Sequence, residues 1–310
     1  MRYFCYVSIG DDWNMNIENF LTYLTSEKNT AANTIQAYKR DILAFETFVK
    51  SRGVGSILAS TNSEIVSYLM YLKNEEKSKA TVNRKLASLR SYYNYLCKMK
   101  IIEENPTDNI KSPKIERKKI EFLTIGEVDK LLSMPNDSLK GIRDRAILEV
   151  LYATGIRVTE LIELKLDDVN IRMGFVTCSG EHGKARIVPM GGLARKALEN
   201  YIFNDRDKLL KGKVNDIGDS PLFVNHFGEK ITRQGLWKIL KEYGKNADMS
   251  NKITPQILRN SFAVHMVQNG ADIKSLQELL GHEDISATQI YLSVNKNRIK
   301  DVYDKTHPRA

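Results

Sequence analysis

The spacing of apolar residues constrains the fold of this chain more than any other feature of its sequence. Apolar side chains recur every three to four residues in most segments, as in Ile17, Phe20, Leu21 and Leu24, which is typical of amphipathic helices. The stretch from Val169 to Met190 instead has the short apolar runs and glycines of a hairpin. We therefore expect a mainly α protein with one small antiparallel β-sheet (an α+β fold).

Four helical patterns come first and predict a small bundle. The first includes Ile17, Phe20, Leu21 and Leu24, the others begin near residues 33, 63 and 81, and each has one apolar stripe. Asn105-Pro106 and Ser112-Pro113 then interrupt the periodicity, since proline cannot continue a helix. We expect a four-helix N-terminal domain over residues 11–112, followed by a linker over residues 113–120.

A second domain is predicted over residues 121–310, with a small sheet among its helices. Thr124 and Glu127 form a capping-box pattern at the start of its first helix. The predicted hairpin has strands at 175–178 and 185–189 around a turn at 180–183. Further helices are predicted at 144–152, 194–201, 232–243, 254–269, 273–279, 286–294 and 299–303.

Composition excludes several classes of protein. The 310 residues contain no run of eighteen apolar side chains, so we expect no membrane span and a cytoplasmic location. Cys5, Cys97 and Cys178 are scattered and lack the spacing of metal ligands, so no metal site and no disulfide framework is expected. The formal net charge of +9 is compatible with a nucleic-acid partner.

The linker is strongly basic for its length. Residues 113–120 contain four basic side chains and one acidic side chain. Such a run is often just a solvated linker. It also suits contact with DNA phosphates, because each bound lysine or arginine releases condensed counterions. The two interpretations are compatible, and the second makes Lys118 and Lys119 candidate DNA contacts.

Four residues of the second domain suggest phosphate chemistry when they are taken together. Arg157 follows a glycine turn, Arg259 lies in an apolar run, and His282 and Tyr291 follow within the next helices. Taken singly, each arginine is more simply explained by a structural ion pair. Together, two arginines can hold the oxygens of a phosphodiester, the histidine can bind the same oxygens, and the tyrosine can attack phosphorus.

The motifs around these residues resemble those of the tyrosine recombinase/integrase family, specifically its Xer-type branch, over essentially the whole chain. The second domain contains both arginine boxes, the histidine motif and the tyrosine motif, at 143–160, 257–263, 278–282 and 288–291, and the stretch at 33–41 resembles the family's N-terminal core-binding domain. The resemblance implies a SAM-like DNA-binding domain joined to a catalytic domain, and strand cleavage through a 3′-phosphotyrosine without metal or cofactor. It also implies homo- or hetero-tetramers on double-stranded DNA at a specific recombination site, with the tail after Tyr291 docking on a neighbouring protomer.

Three positions depart from the family pattern. Glu181 stands where the family has a catalytic lysine, Gln256 where it has a histidine, and Asn260 where a histidine is common. A carboxylate repels phosphate, so we expect Lys184, in the same turn, to supply the missing cation. Gln256 can still donate a hydrogen bond to a phosphate oxygen, but it carries no charge.

Basic and polar side chains on two helices are candidate DNA contacts. Those on the fourth helix are Arg84, Lys85 and Arg90. At the start of the 232–243 helix, Thr232, Arg233, Gln234 and Lys238 suit the major groove, whereas Leu236, Trp237 and Leu240 are expected to face inward. A solvated basic face is the simpler alternative for any one of them.

Two alternatives to an active recombinase remain at this point. One is a catalytically attenuated DNA-binding partner of an active paralogue, which the altered hairpin and second arginine box favour. The other is a helical regulator that has only the fold. Trapping of a covalent DNA adduct distinguishes the enzyme from both.

Overall fold

The structure is a computed structural model that describes residues 12–114, 119–179, 185–212, 220–249 and 252–294. Within these residues the chain is mainly helical with one three-stranded sheet, as the periodicity predicts. It divides into two compact units, the first ending at Lys118 and the second beginning at Lys119. The division therefore falls inside the basic segment at 113–120.

The described residues of the first unit form four α-helices: α1 (Asp12–Ser26), α2 (Ala32–Ser51), α3 (Asn62–Asn74) and α4 (Lys79–Lys98). Their apolar stripes meet in a core rich in aromatic rings, in which Phe20, Phe45, Tyr92 and Tyr93 are fully buried. Thr61 caps α3 through a capping box with Glu64. The four predicted helices are thus confirmed, and α2, α3 and α4 begin within two residues of the expected positions.

A buried carboxylate joins α2 to α4. Asp41 is 2% exposed, pairs with Arg84, and lies 3.2 Å from the Lys85 Nζ. The Ser88 hydroxyl donates to the same carboxylate at 2.8 Å. Two cationic side chains therefore pair with one carboxylate. Their charge compensates the cost of burying Asp41 and leaves this cluster with a net positive charge.

The helices in the described part of the second unit are α5 (Ile125–Ser133), α6 (Leu139–Thr154), α7 (Val158–Glu163), α8 (Gly192–Asn200), α9 (Arg206–Leu210), α10 (Arg233–Asn246), α11 (Pro255–Gln268), α12 (Ile273–Leu280) and α13 (Ser286–Gln289). Helix α6 is largely buried and packs against α5, α8, α9 and α11, and further helices lie outside this group. The predicted capping box of Thr124 with Glu127 is present at α5. A smaller apolar cluster, which includes Phe262, Leu280 and Tyr291, packs α11 against α12 and the segment after α13.

The sheet is antiparallel, with β1 (Val169–Asn170), β2 (Phe175–Ser179) and β3 (Ala185–Pro189) in chain order. Phe175 pairs with Pro189 and Ser179 with Ala185, so the predicted hairpin is confirmed. Its turn, which includes Glu181 and Lys184, lies outside the described residues, as does the 299–303 helix.

Two segments differ from expectation. Helix α6 begins at Leu139, five residues earlier than predicted, because Ser138 caps it by accepting from the Gly141 N–H. After α8, where no helix was expected, the chain continues through a π-helix (Tyr201–Asp205) into α9. Tertiary contacts hold this polar stretch: Arg206 is buried and donates to the carbonyls of Pro221 and Leu222.

Candidate active site

A glycine turn brings Arg157 into position. Gly155 ends α6 with a φ of +59°, a left-handed conformation that L-residues rarely adopt. A Cβ at this position would lie 2.3 Å from the Cδ1 atom of Phe262, so glycine also permits close approach of α11. The chain then reverses, and Arg157 becomes the N-cap residue of α7.

The Arg157 guanidinium is about one-third exposed and faces a cleft. Its Nη1 lies 3.1 Å from the Glu160 Oε1, and its Nη2 donates to the Gly281 carbonyl at 2.8 Å. The cleft has a volume of about 410 Å³ and is also lined by Gln256 and Arg259. Arg157 can therefore hold an anion in the cleft while its own position is fixed from behind.

Arg259 is the unusual group of the site, because its guanidinium is buried and has no carboxylate partner among the described residues. The residue is 5% exposed. It donates to the carbonyls of Gly155 at 2.6 Å and Leu280 at 2.7 Å. Burial and the nearby charge of Arg157 lower its pKa to about 10. The charge of Glu160 offsets only part of the cost of burying this cation, and no carboxylate among the described residues contacts it, so the arrangement suits the binding of an anion and not a structural ion pair.

His282 follows α12 at a second left-handed glycine, Gly281. Its Nε2 lies 3.0 Å from the Arg259 Nη2, and its Nδ1 lies 2.8 Å from the Thr288 Oγ1. Because a guanidinium can only donate, Nε2 must be the acceptor and Nδ1 carries the proton. Burial, with the charges of Arg259 and Arg157, lowers the pKa of His282 to about 4. The ring is therefore neutral at pH 7 in the free protein.

Tyr291 is buried, with 2% of its surface exposed, and packs in the cluster of Phe262 and Leu280. Its hydroxyl donates to the Asn260 Oδ1 at 3.2 Å. Burial raises the pKa of the phenol, and the positive charge of Arg259 opposes that effect. Gln256 is exposed at the cleft, and its Nε2 donates to the same Asn260 oxygen at 2.9 Å. The predicted site residues Arg157, Arg259, His282, Gln256 and Tyr291 thus form one connected group.

Two residues that the sequence patterns did not single out, Glu160 and Arg186, hold this group together. Glu160 is buried and accepts from Arg157 and from both Nη atoms of Arg186, at 2.7 and 2.9 Å. These contacts lower the pKa of the Glu160 carboxyl despite its burial. Arg186, on β3, also donates to the Leu279 carbonyl at 2.9 Å. The spacing of Arg157 and Glu160 as N-cap and N3 residues was the available signal for Glu160.

The candidate DNA contacts have varied surroundings. Arg84 and Lys85 are paired with Asp41, and only 14% of the Lys85 side chain is exposed. Arg90 donates to the Ser112 hydroxyl and to the Ile110 carbonyl. Lys119 is exposed, whereas Lys118 lies outside the described residues.

On α10 the predicted contacts are all exposed, namely Thr232, Arg233, Gln234 and Lys238. One orientation was wrong: Leu236 and Leu240 are buried, but Trp237 is 38% exposed. Trp237 lies one helical turn after Arg233, and both line the same cleft as Arg157 and Arg259. The Lys241 Nζ lies 5.7 Å from the centre of the Trp237 ring, within range of a cation–π contact.

Comparison with known proteins places the chain in a family. Residues 121–298 match the phage integrase family, and residues 17–100 match the N-terminal SAM-like domain of phage integrases. The chain belongs to the phage integrase family. It is 45% identical over 297 residues to the tyrosine recombinase XerD of Listeria innocua, a match that covers 95% of this chain and 99% of that protein. The XerD of Oceanobacillus iheyensis is 43% identical, with 95% and 98% covered.

Solved structures agree with this family membership. The crystal structure of XerA recombinase has a TM-score of 0.52 and 26% identity, and covers 96% of this chain and 100% of that one. A pre-cleavage complex of XerH recombinase with its difH substrate has a TM-score of 0.70 and 22% identity, with 93% and 94% covered, and at this identity it shows the fold. The chain is thus a tyrosine recombinase. These relatives favour an active recombinase over a catalytically attenuated DNA-binding partner.

The described parts of the chain contain neither a candidate membrane span nor a candidate metal site. No helix there is long and apolar enough to cross a membrane. No group of three or more histidine, cysteine or acidic side chains there has the geometry to hold a metal ion.

Proposed function

We propose that this chain cuts and rejoins double-stranded DNA at a specific recombination site, with Tyr291 as its nucleophile. The observation that carries the proposal is the buried Arg259 guanidinium, which has no carboxylate partner among the described residues and lies beside Arg157 and His282. A phosphodiester bears the single negative charge that such a pocket lacks. Because the proposed substrate is DNA, we expect this activity in the cytoplasm.

The proposed chemistry is a transesterification at phosphorus. The Tyr291 oxygen attacks the scissile phosphate, the bond from phosphorus to the 5′-oxygen breaks, and the DNA remains joined to the protein as a 3′-phosphotyrosine. The phenol loses its proton and the leaving 5′-oxygen gains one. Because the phosphotyrosine keeps the energy of the broken ester, attack by a 5′-hydroxyl rejoins a strand by the reverse step.

Arg157 and Arg259 are assigned to the non-bridging oxygens, where two guanidinium groups stabilise the charge that develops in the transition state. His282 is neutral in the free protein, with its proton on Nδ1. It can donate to the same oxygens once its Nε2 has gained a proton, which the negative charge of a bound phosphate favours. Gln256 lines the cleft and uses one N–H on Asn260, which leaves a second N–H for phosphate.

Lys184 is proposed as the proton donor to the 5′-oxygen, in place of the lysine that Glu181 has replaced. General-acid help is typically worth about 10²–10⁴ in rate. Lys184→Ala should therefore slow cleavage of an ordinary site, and a bridging phosphorothiolate should rescue it, because a thiolate leaves without a proton. Equal rates for variant and parent on both substrates would exclude Lys184 from this role.

DNA binding is assigned to both units. On the second unit, α10 presents Thr232, Arg233, Gln234 and Lys238 to the groove edges. On the first unit, we assign phosphate contacts to Arg90 and to the net positive cluster that Arg84 and Lys85 form with Asp41. Further phosphate contacts are assigned to Lys118 and Lys119, in the basic segment between the two units.

We further propose that four protomers, identical or of two kinds, act together, with the tail after Val294 docked on a neighbour. Removal of the tail should preserve DNA binding and prevent strand exchange, and a truncated chain that recombines normally would exclude tail docking.

A suicide-substrate assay tests the proposed function. Duplexes that bind the chain are first selected from a random library, and the selected site is then prepared with a nick beside the scissile phosphate, so that cleavage releases a short fragment and traps the adduct. We expect a covalent protein–DNA band in a denaturing gel for the parent and for Tyr152→Phe, which removes another hydroxyl of the same unit, and none for Tyr291→Phe. A parent that binds its site without forming an adduct would instead be a binding partner of another recombinase.

A further inference from the structure

Asn260 connects two residues of the proposed active site. It follows Arg259 on α11, at the position where the family commonly has histidine. Its Oδ1 accepts hydrogen bonds from the Gln256 Nε2 at 2.9 Å and from the Tyr291 hydroxyl at 3.2 Å. The two departures from the family pattern on this helix, Gln256 and Asn260, are therefore bonded to each other, and one of them is bonded to the nucleophile.

The orientation of the Asn260 amide is fixed by the backbone. Its Nδ2 donates to the Glu121 carbonyl at 3.0 Å, and a carbonyl can only accept. The same segment is attached again two residues later, where the Leu123 N–H donates to the Ser261 hydroxyl at 2.8 Å. With Nδ2 committed to Glu121, the Oδ1 must face Tyr291, and the phenol must be the donor in that bond.

This bond stabilises only the protonated phenol. An amide oxygen is not a base at neutral pH, and a phenolate would face the negative end of the carbonyl dipole. Burial also favours the protonated phenol. Among the described residues, the charge that opposes this effect is that of Arg259, which lies next to Asn260 on α11. His282, on the segment before α13, is neutral at pH 7 and adds no positive charge.

Resting on the function proposed above, we propose that Asn260 is a positioning residue that holds Tyr291 protonated and docked on α11 in the DNA-free chain, and so restrains the first attack. Tyr291 must break this bond before its oxygen can attack phosphorus. A neutral hydrogen bond has a modest net strength, which corresponds to an effect of about 2- to 10-fold on the rate of attack. Replacing Asn260 by a residue that cannot accept a hydrogen bond should remove that restraint.

The direct test uses DNA-free protein with 3-fluorotyrosine at position 291, whose phenol is more acidic than that of tyrosine and can be titrated by ¹⁹F NMR in a milder pH range. In Asn260→Ala we expect the pKa of this phenol to fall by about 0.4 to 1, since the neutral form loses its acceptor. Asn260→Leu, which keeps the side-chain volume, should lower it in the same way. Asn269→Ala, a matched change at the end of the same helix, should leave it unchanged, because the Asn269 side chain contacts the His265 carbonyl and not Tyr291.

The kinetic test is single-turnover adduct formation on the nicked site with saturating DNA. Both Asn260 variants should form the adduct about 2- to 10-fold faster than the parent at pH 7. A phenol pKa that is unchanged in both folded variants, or an adduct that forms more slowly in both, would overturn the proposed restraint. If neither the parent nor any variant forms an adduct, but the phenol pKa falls as expected in the Asn260 variants, the proposed function is wrong. The hydrogen bond by which Asn260 keeps Tyr291 protonated would still be supported.

Discussion

Substitution of Gly155 by alanine should reveal how closely the stability of the second unit depends on the turn that positions Arg157. Gly155 has a φ of +59°, and an added Cβ would lie 2.3 Å from Phe262. The left-handed conformation costs an L-residue roughly 1–2 kcal/mol. Overpacking against a buried ring adds about 1–3 kcal/mol. We therefore expect Gly155→Ala to lower the free energy of unfolding of this unit by about 2–5 kcal/mol.

Urea unfolding followed by tryptophan fluorescence can measure this loss. The chain has two tryptophans, and a Trp13→Phe background leaves Trp237, on the second unit, as the reporter. Gly270→Ala is the matched control, because Gly270 also has a positive φ, +99°, but nothing lies within 4 Å of its added Cβ. It should incur only the conformational part of the cost.

A double variant separates the contribution of the ring. Phe262→Leu removes the aromatic ring that the added Cβ at position 155 would meet, so Gly155→Ala should cost less in that background than in the parent. Because the Gly155 carbonyl accepts from Arg259, adduct formation by Gly155→Ala should also fall. If Gly155→Ala is no more destabilising than Gly270→Ala, close packing against Phe262 is not what requires glycine at this turn.

Three further predictions follow from charge. Glu160→Gln removes the carboxylate that Arg157 and Arg186 share and should lower the free energy of unfolding by about 3 kcal/mol in the same urea assay. The control Glu163→Gln breaks an exposed pair with Lys230 and should lower it by less than about 1 kcal/mol. Equal losses in the two variants would refute the importance of Glu160. The second unit should lose stability as the pH falls from 6.5 towards 4, because unfolded His282 binds a proton near its ordinary pKa of 6.5 and folded His282 only near 4. The slope of the unfolding free energy is at most about 1.4 kcal/mol per pH unit and is reduced by solvent screening. The slope should be smaller in His282→Gln but not zero, because the pKa of His265 is lowered too. Alanine at Lys114, Arg117, Lys118 and Lys119 should flatten the plot of log affinity against log salt by up to about 0.9 per lost phosphate contact, and an unchanged slope would make residues 113–120 a bare linker.

Local sequence patterns predicted the elements that local physics determines. The helices with strong apolar periodicity, the capping box of Thr124 and the β2–β3 hairpin are all present. The four residues proposed for chemistry could also be identified, because each lies in a motif whose spacing is visible along the chain.

The contacts that hold the site together could not be predicted in this way. Arg186 reaches Glu160 and the Leu279 carbonyl only because the sheet lies against α12, and the sequence contains no measure of that distance. Trp237 lies at the border between the buried and exposed faces of α10, where helical periodicity does not decide its orientation. The π-helix that begins at Tyr201 and the helix α9 after it contact Ser220 and Leu222, which are remote in sequence.

The two arginines of the site hold much of their position through main-chain carbonyls, those of Gly155, Leu280 and Gly281. Every amino acid supplies a carbonyl, so mutations at Leu280 can change its side chain without removing this acceptor. Selection at the two glycines then acts on backbone shape and not on a functional group. An anion pocket built in this way tolerates sequence drift, and it can persist in relatives of such chains even after the groups that move protons have been lost.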